Sequence, residues 1–509
     1  MDAIILKSFL PEIFLSICIL VQLVFNARLV NNLYYNFPII DKEAFNQTFF
    51  ILSCLFLIYS NLRIEGFFSN LLLLNDNGAV SVKLGVVLSS LFALTVISRG
   101  FILQNLNFFE FFAIFFLSIL GLLLLVSSYD FISAYLVIEM QALCFYVLAS
   151  FRRSSAFSTE AGLKYFISGS FISCIFLFGC SLIYGALGTL NFNSLNLLLS
   201  FPLTNDFIYI KYMVMVGSLF IFITLLFKVA AAPFHFWSPD VYEGSPLSST
   251  VIFSIIPKLV IFSFFVKCVC AFSQIFYDFQ ALFLVIGVLS IFIGTFFALR
   301  QKRIKRLVIY SSIAQVGFLV AALSVNTVDG FASIFFFLFV YIITSLLVWG
   351  YITELYRCQQ EVNLFYNKSL TPIFLSSLSN YFKVNKVAAF SLVIVFFSVA
   401  GIPPLSGFLA KIFILFGLVS SNFLLVSVVI VLVSSISVFY YVRVIKVLFF
   451  ETKDVKVNNQ NIQTVFPVGL SDFYYTIMTC GLYSLLFFFF FPEVPLLGSY
   501  YIVLSTFGF

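Results

Sequence analysis

The chain has 509 residues, of which 62% are apolar and only 9% charged, and its mean hydropathy is +1.13. A soluble domain carries roughly 25% charged and about 45–50% apolar residues, so this composition excludes a water-soluble globular protein and indicates a polytopic membrane protein. The formal charge of +6 resides in connections and not in a basic patch on a soluble surface, which argues against nucleic-acid binding.

The apolar stretches repeatedly reach the roughly 20 residues a helix needs to cross the hydrocarbon core, whereas barrel strands are about 10 residues long and alternate in polarity. The expected fold is an all-α polytopic membrane bundle of about fourteen transmembrane helices. In chain order, spans near 5–27, 43–62 and 79–98 form an N-terminal group within 1–106. Spans near 107–128, 131–151, 161–185, 207–230 and 246–270 form a first five-span unit within 107–272. Spans near 279–299, 305–325, 331–355, 386–420 and 423–449 form a second within 279–450, and a last span near 473–495 ends the segment 451–509. The connections near 356–386 and 451–472 are loops of moderate polarity, not folded modules.

Connections after odd-numbered spans hold nineteen of the twenty-seven basic residues, Lys305 among them. The opposite side holds Arg63, Lys83 and Lys211, with Lys7 in the N-terminal segment. The positive-inside rule therefore places both termini on the less basic side. N-x-S/T matches at Asn46 and Asn367 fall on the basic side, where glycosylation is not expected. The nine cysteines show no C-x-x-C spacing and read as small buried hydrophobes. The N-terminal "MDAIILKSFLPEIF" lacks the Arg- and Ser-rich character of a transit peptide, and the 73 phenylalanines suggest an AT-rich genome; both fit synthesis inside an organelle or a bacterium.

Two spans are broken. The seventh is interrupted by "AAAPFHFWSPD" and the twelfth by "AGIPPLSGFLAK", where proline removes a backbone donor and clashes with the preceding turn. Because a unit of five crossings reverses direction when repeated, spans four to eight and nine to thirteen are expected to be inverted copies with broken helices 7 and 12. Paired broken helices in corresponding positions mark ion handling near the midplane of transporter folds.

Charged residues inside the hydrocarbon cost about 2.5–3.5 kcal/mol each on insertion scales and are functional candidates by default. Glu139 lies mid-way through span five, Lys228 in span seven next to the break, Lys258 mid-way through span eight, and Lys411 beside the second break. Burial disfavours a charged amine while a nearby carboxylate favours it, so a lysine whose glutamate partner approaches and retreats takes up and releases a proton. These four residues are the expected relay, against the alternative of static ion pairs that fix helix packing. Lys267, near a span end, is expected to snorkel and is given no role. His235, the only histidine, is a relay candidate and equally a cap or a partner for a freed carbonyl. Trp237 reads as packing, and Asp240 and Glu243 as solvated loop acids.

One histidine excludes a bis-histidine haem, and neither a cysteine cluster for iron and sulfur nor a Gly-rich dinucleotide fingerprint nor a P-loop is present. No redox cofactor is expected in this chain, so energy for transport must come from a partner or an ion gradient.

The stretches "FKVAAAPFHFWSPDVYEGSPL" (227–247), "KRLVIYSSIAQVGF" (305–318), "AGIPPLSGFLAK" (400–411) and "YYVRVIKVLFF" (440–450), with "LVIEMQALCFYVLAS" and "TEAGLKYFISGS", resemble the subunit 2 family of respiratory NADH:ubiquinone oxidoreductase, complex I. The resemblance covers about residues 110–450; the first three spans share only hydropathy. Subunits 4 and 5 and the related cation/proton antiporter subunits read closer to P-F-H-T-W-L-P-D, and subunit 4 usually has glutamate where this chain has Lys411. The resemblance implies an antiporter-like proton channel in the membrane arm, driven by quinone reduction elsewhere in the complex. It gives Glu139 and Lys228 the first half-channel, Lys258 the connecting step and Lys411 the exit. Bacterial members often carry histidine at the position of Gln315, so a connecting step there needs water or a hydroxyl such as Ser311 or Ser312. NAD, FMN, iron–sulfur clusters and ubiquinone are expected in partner subunits. The expected surroundings are other membrane-arm subunits, including subunit 4 and small membrane subunits, and lipids, in the mitochondrial inner membrane or, alternatively, a bacterial plasma membrane. An independent or Mrp-type cation/proton antiporter subunit and a non-titrating scaffold are the competing readings.

Overall fold

A computed structural model describes residues 8–30, 66–68, 72–104, 109–200, 208–364, 374–380, 385–450 and 472–507, with Ser53 and Phe382. The expected second span near 43–62 apart from Ser53, both N-x-S/T matches and almost all of the 451–472 connection lie outside the described residues. Helix α1 (Leu10–Val30) is followed by a small antiparallel hairpin, β1 (Gly66–Phe68) and β2 (Leu73–Asn75). The remaining elements are helical: α2 (Asn77–Gln104), α3 (Phe109–Ser127), α4 (Phe131–Ala149), α5 (Ala156–Leu187), α6 (Phe192–Ser200), α7 (Ile208–Val229), α8 (Trp237–Gly244) and α9 (Leu247–Ala271). After a short bend come α10 (Gln280–Arg300), α11 (Ile304–Leu323), α12 (Val328–Leu364), α13 (Lys386–Ala400), α14 (Ser406–Ser420), α15 (Leu424–Phe450), α16 (Asp472–Phe490) and α17 (Glu493–Phe507). Among the described residues ten helices are long and apolar enough to cross a membrane, or eleven if the bent pair at the C-terminus counts as one span.

The bundle is organised around α9, which is buried over its whole membrane-length window. A helix apolar on every side belongs in such a centre, and α2, α3, α7 and α12 pack against it. Outer helices such as α15 turn Leu425 and Phe439 outward. Small residues bring neighbouring helices close, as is usual in membranes: a Cβ on Gly287 would come within 2.9 Å of the Ala321 amide nitrogen, and one on Gly179 within 2.8 Å of the Gly217 carbonyl.

Both expected breaks are present and close in the same way. At the end of α7 the Ala231 N–H donates to Leu226 O (2.9 Å) and the Ala230 N–H to Phe227 O (2.9 Å). At the end of α13 the Ile402 N–H donates to Phe397 O (3.1 Å) and the Gly401 N–H to Ser398 O (3.1 Å). This is the Schellman pattern, with the residue after the cap left-handed. Gly401 has φ +82°, as the motif prefers, but Ala230 holds φ +64° with a side chain, a conformation costing an L-residue roughly 1–2 kcal/mol.

The C-terminus departs from expectation. One span near 473–495 is instead two helices, α16 and α17, bent by 87°. Pro492 cannot continue α16, since it lacks an amide hydrogen and its ring clashes with the turn before it. The residues beyond remain apolar enough to pack, and α17 lies on α2 and α12, where Tyr500 Oη donates to Asp329 Oδ1 (2.8 Å).

Candidate functional site

Lys228 ends α7 one turn before the break, on the wall of a cavity of about 30 Å³ that also touches Ile138, Gln141, Tyr165, Trp237 and Tyr242. A second cavity, of about 20 Å³, is lined by Tyr242, Ser311, Ser312, Gln315, Tyr341 and Tyr441, among others. Since a water needs about 10–15 Å³ measured this way and two to four polar partners, each is large and polar enough to hold one. Tyr242 lines both.

The position of Tyr242 follows from a proline. Pro257 inside α9 lacks the N–H that would bond the carbonyl four residues earlier, and that carbonyl, of Phe253, accepts the Tyr242 hydroxyl at 3.1 Å. One residue further along the helix, Ser254 O accepts the Tyr341 hydroxyl (2.8 Å). Lys258, 4% exposed, donates from Nζ to that same Tyr341 oxygen (2.8 Å) and lies 4.8 Å from the ring centroid. The central lysine is thus held on the hydroxyl that lines the second cavity.

Glu139 is half-buried, next to the cavity-lining Ile138. Its Oε1 is buried without a hydrogen-bond partner. No hydrogen bond or ion pair joins it to Lys228 among the described residues, although its charge acts on that lysine. Lys411, on α14, donates from Nζ to Ala400 O (2.6 Å) and lies 5.5 Å from the Phe318 ring centroid. Val399, the residue before Ala400, lines the second cavity. His235 is buried in the first break, its ring against Phe236, and lines neither cavity. The Phe227 carbonyl, which accepts the Ala230 N–H, also accepts from Trp237 Nε1 (3.0 Å), whose ring stacks on Tyr165.

Several assignments change. Asp240 and Glu243 are not loop acids: both lie on α8, and Glu243 is gripped by Arg303 and Arg306 from the start of α11. Asp240 pairs with Arg306 (3.5 Å) and Lys164 (3.1 Å). Lys305, expected in a connection, is buried in the first turn of α11 and reaches Ser245 O (3.3 Å). Lys267 Nζ donates to Val126 O (2.5 Å) at the C-terminus of α3, where a cation meets the negative end of the helix dipole. Lys83, also assigned to a connection, is fully buried in α2 and paired with Glu12 at 2.5 Å. Tyr242 and Tyr341 were not singled out from the sequence. The available signal was Pro257 in mid-span, which leaves a carbonyl in need of a donor.

Comparison with known proteins adds the identity of the arrangement. The family model described as "NADH:quinone oxidoreductase/Mrp antiporter, TM" matches residues 128–437. NADH-ubiquinone oxidoreductase chain 2 of Marchantia polymorpha is 35% identical over 447 residues, 87% of this chain and 88% of the relative. The chain belongs to this NADH:quinone oxidoreductase family, with chain 2 as its counterpart. NADH-quinone oxidoreductase subunit N of Wolbachia sp. subsp. Brugia malayi is 39% identical over 336 residues, 66% of this chain and 68% of the relative. The fold is shared with a chain in the structure of respiratory complex I from Thermus thermophilus with bound aureothin, at a TM-score of 0.73 and 22% identity, covering 96% of this chain and 98% of that one. The family-model match begins at residue 128, so α4 to α14 and both breaks fall inside it, whereas α1, α2 and α3 lie before it.

Proposed function

We propose that the chain is a proton-translocating membrane subunit of NADH:ubiquinone oxidoreductase, moving protons through a relay of buried Glu and Lys residues driven by quinone reduction elsewhere in the complex. The observation that carries this reading is the pair of cavities sharing Tyr242, with Lys228 on the first and the Tyr341–Lys258 pair on the second. Glu139 modulates the charge of Lys228, since a carboxylate favours the ammonium form and its withdrawal favours release. The proton passes Tyr242 to the hydroxyl-lined second cavity, where Ser311 and Ser312 stand beside Gln315, and reaches Lys258 through Tyr341. Lys411, against Ala400 O, takes the exit. The like closure of the two breaks supports two inverted five-helix units in a bundle of about fourteen spans.

The partners that fit this role are other membrane-arm subunits, including antiporter-like subunit 4 and small membrane subunits, with lipids around the outer helices. NAD, FMN, iron–sulfur clusters and ubiquinone belong to partner subunits, and the membrane is the mitochondrial inner membrane. Native electrophoresis of gently solubilised membranes, stained for NADH dehydrogenase activity and read by mass spectrometry, tests this. Co-migration of the chain with the active band is expected. Migration elsewhere without NADH activity overturns the assignment in favour of an independent cation/proton antiporter.

Tyr242→Phe keeps the ring between the cavities, leaves Phe253 O without its donor and removes the shared hydroxyl. The expected result is an assembled complex whose coupled turnover falls by up to about 100-fold, the low end of what a positioned proton-transfer group contributes, in a quinone-reductase assay with and without uncoupler. Unchanged coupled turnover removes Tyr242 from the path.

A further inference from the structure

The relay leaves one charged cluster unused. Helix α8 has eight residues, too few for independent stability, because isolated helices shorter than about 12–15 residues are marginal in water. Its position is therefore set by what grips it. Both oxygens of the Glu243 carboxylate are engaged: Oε1 accepts from Arg303 Nη1 and Oε2 from Arg306 Nε. Arg306 also reaches Asp240 Oδ1 from Nη2 (3.5 Å), and Asp240 Oδ2 accepts from Lys164 Nζ on α5 (3.1 Å). Exposed ion pairs contribute little, but Glu243 is only 15% exposed, and hydrogen bonds between ionised groups are the stronger class. Against α5 the helix has no room to yield, since a Cβ on Gly244 would come within 2.6 Å of Phe157 O.

The grip acts beside Tyr242, the residue directly before Glu243. The Tyr242 hydroxyl bonds the carbonyl of Phe253, which lines the first cavity, while Glu243 is held from α11, whose Ser311, Ser312 and Gln315 line the second. We infer that Glu243 is a positioning residue of the relay: through Arg303 and Arg306 it registers α8 against α11, so that the Tyr242 hydroxyl stands between the two cavities. The inference rests on the relay reading above. Glu243 itself exchanges no proton. A shift of α8 along α11 would carry the adjacent Tyr242 out of line with both cavities.

The test is the intact complex in its native membrane, with NADH-driven coupled quinone reduction read in H2O and in D2O. Glu243→Gln keeps the side chain's size and removes its charge. The expected result is an assembled complex whose coupled turnover falls toward the Tyr242→Phe level, since a misplacement of about 1 Å can cost about 100-fold. Its solvent deuterium isotope effect is expected to rise above that of the unsubstituted chain. A merely structural loss lowers the number of working complexes and leaves the isotope effect unchanged. In Tyr242→Phe/Glu243→Gln, turnover is expected to equal that of Tyr242→Phe alone, because residues acting through one group are non-additive. With Lys228→Ala stalled, any one of three results overturns the positioning role: full turnover in assembled Glu243→Gln, an unchanged isotope effect, or losses that multiply in the double variant. Full turnover in Lys228→Ala overturns the relay and the inference with it. Where Glu243→Gln does not assemble, Arg306→Lys decides by the same readouts, because it keeps the cation but loses the planar fork that spans Glu243 and Asp240.

Discussion

Lys228→Ala is expected to remove most proton pumping and coupled quinone reduction, since a positioned acid or base contributes about 10²–10⁴-fold, while the complex still assembles. The second half of that statement follows from the geometry. The Lys228 ammonium makes no hydrogen bond or ion pair to the protein among the described residues, and it faces a cavity. Truncating it therefore releases no buried partner, unlike the loss of Glu243, which would leave Arg303 and Arg306 without their common carboxylate. The loss of pumping follows from its place as the one amine on the first cavity's wall. Proton uptake by vesicles, with assembly followed on native gels, makes the measurement. Pumping at the unsubstituted level in a fully assembled complex would sink the relay role.

The four charges proposed as a relay stand out in the sequence because each lies within a long apolar run, where insertion cost makes it conspicuous. The breaks were legible from Pro233, Pro403 and Pro404, and their matching closure followed from the backbone chemistry of a helix end. Charges near helix ends were misread for a related reason. Lys83 and Lys305 sit within two turns of a helix end, where a solvated connection is the default, and only packing against Glu12 and Ser245 reveals that they are buried. Asp240 and Glu243 were hidden similarly, since a short helix after a break cannot be told from a loop by hydropathy. The tyrosines were hidden by abundance. Among 25 tyrosines and 73 phenylalanines, nothing in the local pattern marks Tyr242 and Tyr341 as ones whose hydroxyls bond α9 carbonyls. That relation depends on which helices face Pro257, a tertiary fact.

Lys258→Met is expected to lower coupled activity as far as Lys228→Ala, with assembly intact. Methionine fills the buried space of the lysine stem and removes the one titratable amine at the centre of α9. Tyr341→Phe is expected to lie between Lys258→Met and the unsubstituted chain. It keeps the ring that faces Lys258 Nζ at 4.8 Å but removes the hydroxyl that joins this amine to the second cavity and to Ser254 O. A buried donor left without its acceptor costs about 1–3 kcal/mol, which would hold Lys258 in its neutral form and slow proton uptake. If the two residues act as one unit, the double variant is no worse than Lys258→Met alone, because contacting groups in one network are non-additive. The decisive comparison is the ratio of coupled rates across the four chains. Independent, multiplying losses would show that Tyr341 serves the path apart from Lys258, and the link between the cavity and the central lysine would have to run through another group.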